Sequence, residues 1–259
     1  MSQVLLEADQ IKMYFGGIKA LDGVSLSVGS QTIHTVIGPN GSGKSTMFNV
    51  LTGFYRATGG HIAFCGKEIT GSAPHRISEM GMARTFQTLR LFPEMTVLEN
   101  VIVGMHSRIR ETFWSAALHL PSAANEERVA YEKAEQILEM VGLSAKNRQP
   151  AKSLAYGEGR LLEIARAMAS EPKVLLLDEP AAGMNPSETK QVMELIRKLC
   201  QRGLTIVLVE HDMKVVISYS DMVTVLDHGK KIAEGAPKEI LQNEAVITAY
   251  LGKRREHHA

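Results

Sequence analysis

Cysteine is scarce in this chain: Cys65 and Cys200 stand far apart without metal-ligand spacing. No metal site is suggested, and both read as small buried residues of a reducing compartment. An excess of either charge is also missing. With 29 Lys+Arg against 28 Asp+Glu the net charge is +1, which implies no strong field and no nucleic-acid partner. The basic "GKRRE" near the C-terminus is too small to change that and reads as a solvated tail. No apolar run approaches the roughly 18–20 residues that span a bilayer. The opening stretch "MSQVLLEADQIKMY" carries acids and shows no secretory pattern. A soluble, cytoplasmic protein is expected, one that would act at a membrane only through a partner. Repeats and low-complexity segments are lacking too. What the chain does have is length, 259 residues at 44% hydrophobic, enough for a real core as one large domain or a domain with a second lobe.

Patterning predicts an α/β fold. Residues 4–37 read as strands, with partial alternation in "VLLEADQIKMY" and "VSLSVGSQTIHTVI". "IHTVIGPNGSGKSTMFNVLTG" goes strand, glycine loop, helix. One or two short strands are expected between Gly60 and Ile69. From about 95 to 150 the character becomes helical, in "VLENVIVGMHSRI" and "NEERVAYEKAEQILEMVGL", punctuated at Pro121. "KVLLLDEP" and "LTIVLVEHD" are short continuous apolar runs of the buried parallel type. Between them "ETKQVMELIRKLCQRG" is a helix, closed by Gly203 at a C′ position. "DMVTVLDHGKKIAEG" reads as a hairpin turning at "DHGK". A helical lobe is thus inserted between the glycine loop and the acidic strand.

"GPNGSGKS" fits G-x-x-x-x-G-K-[ST] from Gly38 to Ser45, after an apolar strand and at the opening of a helix, the context the motif requires. Across Gly38, Pro39, Asn40, Gly41, Ser42 and Gly43 the backbone can wrap tightly and aim successive N–H groups at phosphate oxygens. The helix start, which includes Thr46, adds partial positive charge. Lys44 supplies a cation for the β/γ-phosphates, and the Ser45 hydroxyl suits Mg²⁺. "VLLLDEP" places Asp178 and Glu179 where an apolar strand stops. Asp178 fits a Mg²⁺-side acid acting through water, and Glu179 a general base or water-positioner for hydrolysis. His211, at the end of "TIVLVEH", can hydrogen-bond a γ-phosphate or the water. Gln87 in "ARTFQTLRLF" can ligate Mg²⁺ and lose that contact when the helical lobe moves.

"SLAYGEGRLLEIARAMAS" (153–170) opens with two glycines and no lysine, then turns helical, with Leu161, Ile164, Ala165 and Met168 on one face. Together these elements resemble the ATP-binding cassette (ABC) ATPases across essentially the whole chain. "GIKALDGVSL", "ARTFQTLRLFPEMTVLENV", "LAYGEGRLLEIARAM", "LDEPAAGMNP", "VEHDMKVV" and "VITAYLG" are similar to the ATPase subunit of branched-chain amino acid importers. Related subunits serve urea, amides or aromatic acids. The resemblance implies one cassette, residues 1–259: a P-loop core with an N-terminal antiparallel β subdomain (about 1–88 and 155–259) and an inserted helical lobe (about 89–154).

The same resemblance makes Leu154, Ala155, Tyr156, Gly157 and Glu158 the signature loop, which closes over ATP held by the lysine loop of a second cassette. Here Ala155 replaces the usual serine, Tyr156 the first glycine and Glu158 the usual glutamine; a lost hydroxyl contact would cost about 1–2 kcal/mol and weaken closure. Phe15, with Tyr14 as the alternative, corresponds to the adenine-stacking aromatic. Asn185 stands where the dimer-contacting loop often has Asp. Two cassettes, homo- or heteromeric, would sandwich two ATP·Mg²⁺ and drive two membrane permeases served by a substrate-binding protein. The cassette would sit peripherally at the cytoplasmic face of the plasma membrane. A groove near Leu89, Leu91, Phe92 and Met95 would receive a short helix of each permease. A kinase or GTPase would not need "LAYGE" or His211. A repair or translation cassette would carry coiled-coil insertions or two cassettes. Residues 106–130, with Trp114, have no assigned task.

Overall fold

A computed structural model describes residues 3–105 and 121–256, with side chains described except at 121–127 and 251–256. Trp114, and residues 106–120 of the stretch without an assigned task, therefore lie outside the described residues.

The N-terminal strands form an antiparallel sheet. β1 (Val4–Phe15) and β2 (Ile18–Gly29) turn through Gly16 and Gly17, and β4 (Gly59–Phe64) and β5 (Lys67–Glu68) extend the sheet in the order β2-β1-β4-β5. Alternation puts Leu6, Ala8, Ile11 and Met13 inside, as a one-sided sheet requires. The second sheet has the order β10-β9-β3-β8-β7-β6. β3 (Ile33–Ile37), β6 (Met82–Arg84), β7 (Val174–Asp178), β8 (Thr205–Val209) and β9 (Met222–Asp227) run parallel. β10 (Lys230–Gly235) returns antiparallel at the edge.

Every residue of β3, β7 and β8 is buried, because both faces are covered. Along β7, Val174 and Leu176 join the cluster under the antiparallel sheet and α1 (Lys44–Leu51). Leu175 and Leu177 join the cluster with the helices opposite. Those helices are α3 (Val97–Gly104), α4 (Pro121–Val141), α5 (Tyr156–Met168) and α6 (Pro186–Gln201). The expected hairpin forms, with His228 (φ 44°) and Gly229 (φ 75°) at its turn. Gly203 follows α6 with φ 104°.

Four short helices and one short strand carry no clear sequence signal: α2 (Pro74–Glu79), α7 (Met213–Tyr219), α8 (Pro237–Gln242), α9 (Glu244–Glu256) and β6. α2, α7, α8 and β6 are too brief to show a period, and α9 is only weakly amphipathic. The 154/155 lobe boundary falls at the start of α5. That helix shares one apolar cluster with α3 and α4 and also with β7, β8 and α6, so packing continues across the boundary.

Candidate nucleotide site

The lysine loop is clamped from two sides. A Cβ at Gly38 would lie 2.1 Å from the Leu226 carbonyl oxygen, and one at Gly43 (φ 108°) 2.7 Å from that of Ala20. Only glycine fits either place. The β9–β10 turn braces the loop further: Gly229 N–H donates to the Ser42 carbonyl at 3.0 Å, and its own carbonyl accepts from Asp22 N–H at 2.8 Å. Lys44, 8% exposed, is curled into the loop and donates to the carbonyls of Gly38 at 2.7 Å and Pro39 at 3.1 Å. The Ser42 hydroxyl is buried without a hydrogen-bond partner. α1 begins without a side-chain cap and without an acid in its first turn. Its positive end is therefore uncompensated, as an anion site requires. Ser45 is exposed at that first turn.

The acidic strand end gathers residues that are distant in sequence. Glu179, in the sparsely populated φ of 47°, accepts the Gln87 amide Nε2–H on Oε2 at 3.2 Å. His211 Nδ1 lies 3.7 Å from the same oxygen. A non-glycine residue held at positive φ stores strain and aims its side chain away from the strand. Asp178 is nearly buried and pairs through Oδ2 with Arg84 Nη2 at 3.0 Å. Arg84 also donates to Asn49 Oδ1 at 2.7 Å, and its guanidinium lies 5.5 and 5.1 Å from the Phe48 and Phe86 rings.

Arg84 escaped the sequence reading, as did Glu210. Glu210 is 1% exposed, and burial pushes its carboxyl pKa up. Its Oε2 accepts from His211 N–H at 3.2 Å, while its Oε1 is buried without a hydrogen-bond partner. Its only sequence signal was an acid adjoining a largely apolar strand.

Of the two candidate aromatics, Tyr14 is engaged in structure: its hydroxyl donates to Asp22 Oδ1 at 2.6 Å. That bond raises the phenol pKa and lowers the carboxyl pKa. Phe15 is 43% exposed and meets Tyr55 edge-on, with centroids 5.3 Å apart.

The lysine-free loop opens α5. Ala155 is the N-cap and has no side chain to accept a hydrogen bond, so only half a capping box forms, with Glu158 Oε2 accepting Ala155 N–H at 3.1 Å. Both carboxylate oxygens of Glu158 also accept from Lys146 Nζ, at 2.6 and 2.7 Å, which lowers the carboxyl pKa. Leu154 packs on the helical core, Gly157 backs onto Glu188, and Tyr156 stands 46% exposed near Gly183. Asn185 caps α6, its Oδ1 accepting from Ser187 N–H at 2.9 Å and Glu188 N–H at 3.0 Å. That commits the oxygen to the first turn of its own helix.

The groove expectation needs correction at two residues. Leu89 and Leu91 pack against Gly159 of α5, because the chain after Gln87 folds back onto that helix. The open cleft beside them, about 530 Å³, is lined instead by Phe54, Phe86, Phe92, Val103, Glu163 and Arg166. Phe92 and Met95 are exposed as expected.

Among the described residues no helix is long and apolar enough to cross a membrane. Comparison with known proteins gives the family. A family model described as "ABC transporter" matches residues 21–182, and one described as "Branched-chain amino acid ATP-binding cassette transporter" matches 230–256. The high-affinity branched-chain amino acid transport ATP-binding protein BraF of Pseudomonas aeruginosa is 46% identical over 98% of this chain and 100% of its own. A probable branched-chain amino acid transport ATP-binding protein of Archaeoglobus fulgidus is 40% identical over 96% of this chain and 95% of its own. A crystal structure of the ADP conformation of an ATP-binding cassette superimposes with a TM-score of 0.85 at 38% identity, covering 97% of this chain and 100% of that one. On this evidence the chain belongs to the ATP-binding cassette family of ABC transporters.

Proposed function

We propose that this chain is the ATP-binding and hydrolysing subunit of an importer for branched-chain or other hydrophobic amino acids. The single observation that carries the hydrolytic half is the convergence on Glu179 Oε2, with the Gln87 amide at 3.2 Å and His211 at 3.7 Å. A carboxylate steered by an amide and an imidazole is suited to aligning and deprotonating a water. The C-terminal match at 230–256 and the relatives' names support amino acids over urea or amides as the solute class.

ATP would sit on the lysine loop, its phosphates over the Lys44 ammonium and the α1 N-terminus and its base against Phe15. The partner's residues 154–158 would cap it from the other side. Because Ala155 cannot cap α5, the first N–H groups of that helix are left to meet the γ-phosphate. The residues present fit Mg²⁺. Ser45, Gln87 and Asp178 offer oxygen donors only, and among the described residues no cluster of three or more His, Cys, Asp or Glu could hold a metal by itself. Such a donor set suits an ion that takes most of its ligands from phosphate and water. When bound, Mg²⁺ would neutralise charge between the β- and γ-phosphates.

The aromatic cleft suits an amphipathic helix from each of two permease subunits, which would place the cassette at the cytoplasmic face of the plasma membrane. Neutralising the base tests the reading. Glu179→Gln should cut ATP turnover by about 10²–10⁴-fold while ATP binding persists, and should trap an ATP-bound dimer visible by size-exclusion chromatography. Normal turnover in that variant, or full-rate hydrolysis by a strict monomer, would overturn it.

A further inference from the structure

Arg160, in the second turn of α5, lies 2% exposed between the two loops whose separate duties are proposed above. Its Nη1 donates to the Phe86 carbonyl at 2.8 Å and to Glu163 Oε2 at 2.9 Å. Its Nη2 donates to the Gln87 carbonyl and, at 3.2 Å, to the Tyr156 hydroxyl, and the guanidinium sits 5.6 Å from the centre of the Tyr156 ring. One planar, always charged group thus holds the main chain of the amide-bearing segment and the exposed aromatic of the signature loop together. A second contact runs in parallel. A Cβ at Gly159 would come 2.8 Å from Leu89, so that glycine lets the segment after Gln87 press directly on α5.

From here the path continues without a gap. The Gln87 side chain donates to Glu179, and His211 faces the same oxygen. We infer that Arg160 is a positioning residue that couples the signature loop, through Gln87, to the hydrolytic carboxylate of its own chain. The inference rests on the reading that residues 154–158 cap a partner's nucleotide. When α5 shifts to seat on that nucleotide, the guanidinium carries the Phe86–Gln87 carbonyls with it and resets the amide on Glu179. Each site of the pair thereby responds to occupancy of the other, and the response is a coupling free energy between two ligand sites.

The test uses the full-length protein and Mg·ATP, with Arg160→Lys chosen because lysine keeps a cation beside buried Glu163 but cannot fork to two carbonyls. Turnover should fall about tenfold, KM for ATP should stay within about twofold, and the Hill coefficient for ATP should drop toward 1. In a Gln87→Ala background the same substitution should add less than about twofold, because both act through one amide. A Lys variant as cooperative and as fast as the wild type sinks the inference. So does a loss that multiplies fully with Gln87→Ala, since that marks damage to packing. The two readings fail separately. A wild-type protein that is monomeric, fast and non-cooperative overturns the capping reading, whereas a cooperative wild type with an equally cooperative Lys variant overturns the role of Arg160 alone.

Discussion

Two helix starts in this molecule use the same backbone device and end with different chemistry. α1 begins after a glycine loop, α5 carries Gly157 and Gly159 in its own first turn, and neither has a side-chain N-cap. At α1 the cation is built in: Lys44 curls back onto the loop carbonyls, and no acid stands in the first turn. At α5 there is no lysine in the loop, and the first turn carries Glu158, tied up by Lys146 from outside the helix. Backbone N–H groups and helix polarity alone give a weak, salt-sensitive anion preference, whereas the same geometry around a buried ammonium makes a binding site. On the function proposed above, one start grips the nucleotide and the other closes over what a partner grips.

The largest test of that contrast is Lys44→Ala. Losing charge-assisted bonds to phosphate should weaken ATP binding by about 3 kcal/mol, roughly a hundredfold, read by calorimetric titration. If the affinity barely changes, the grip lies elsewhere.

Acid separates the regions next. His34 on β3, the strand that feeds the lysine loop, is 1% exposed and bonds Thr224 Oγ1 at 2.8 Å. Burial holds its pKa down to about 4 against a usual 6.5, with Glu234 opposing and Lys231 adding to the shift. Between those values the unfolded chain binds the proton and the folded chain does not, so stability is full above pH 6.5 and declines as pH falls towards 4. The total is up to about 3 kcal/mol. Urea melts of wild type and His34→Gln should show this slope only in the wild type. Acid effects on the Lys146–Glu158 pair belong at lower pH, because the Glu158 carboxyl titrates below its ordinary range.

The smallest effect is expected from Glu158→Gln. Its partner lysine is 36% exposed, so losing the pair should cost no more than about 1 kcal/mol. Nucleotide affinity at the lysine loop should stay unchanged in the same titration. A large loss of affinity would mean that the two helix starts are not independent within one chain.

Much of this was legible in the residues. "GPNGSGKS" reads directly as a phosphate loop because its chemistry is local: eight neighbouring residues shape the backbone and supply the cation. β7 and β8 were equally plain, since strands buried on both faces read as near-continuous apolar runs. The arginines were not legible. Arg84 meets an aspartate 94 residues away, and Arg160 meets carbonyls 74 and 73 residues away. Nothing in either local pattern announces a buried charge. Leu89 and Leu91 turn onto α5 and not into the open cleft, a choice that apolar spacing does not encode because it cannot say which of two surfaces a loop turns toward.

The sequence alone marked the lysine loop as the candidate phosphate site and showed which strand ends carry acids, because those properties are set by backbone freedom and residue type within a few positions. Tertiary structure decided that Gln87, Glu179 and His211 share one oxygen, that Asp178 is paired, and that a single guanidinium joins the two loops. Those facts depend on which distant segments the close-packed core forces together, and burial favours a partner for most of the polar groups brought inside.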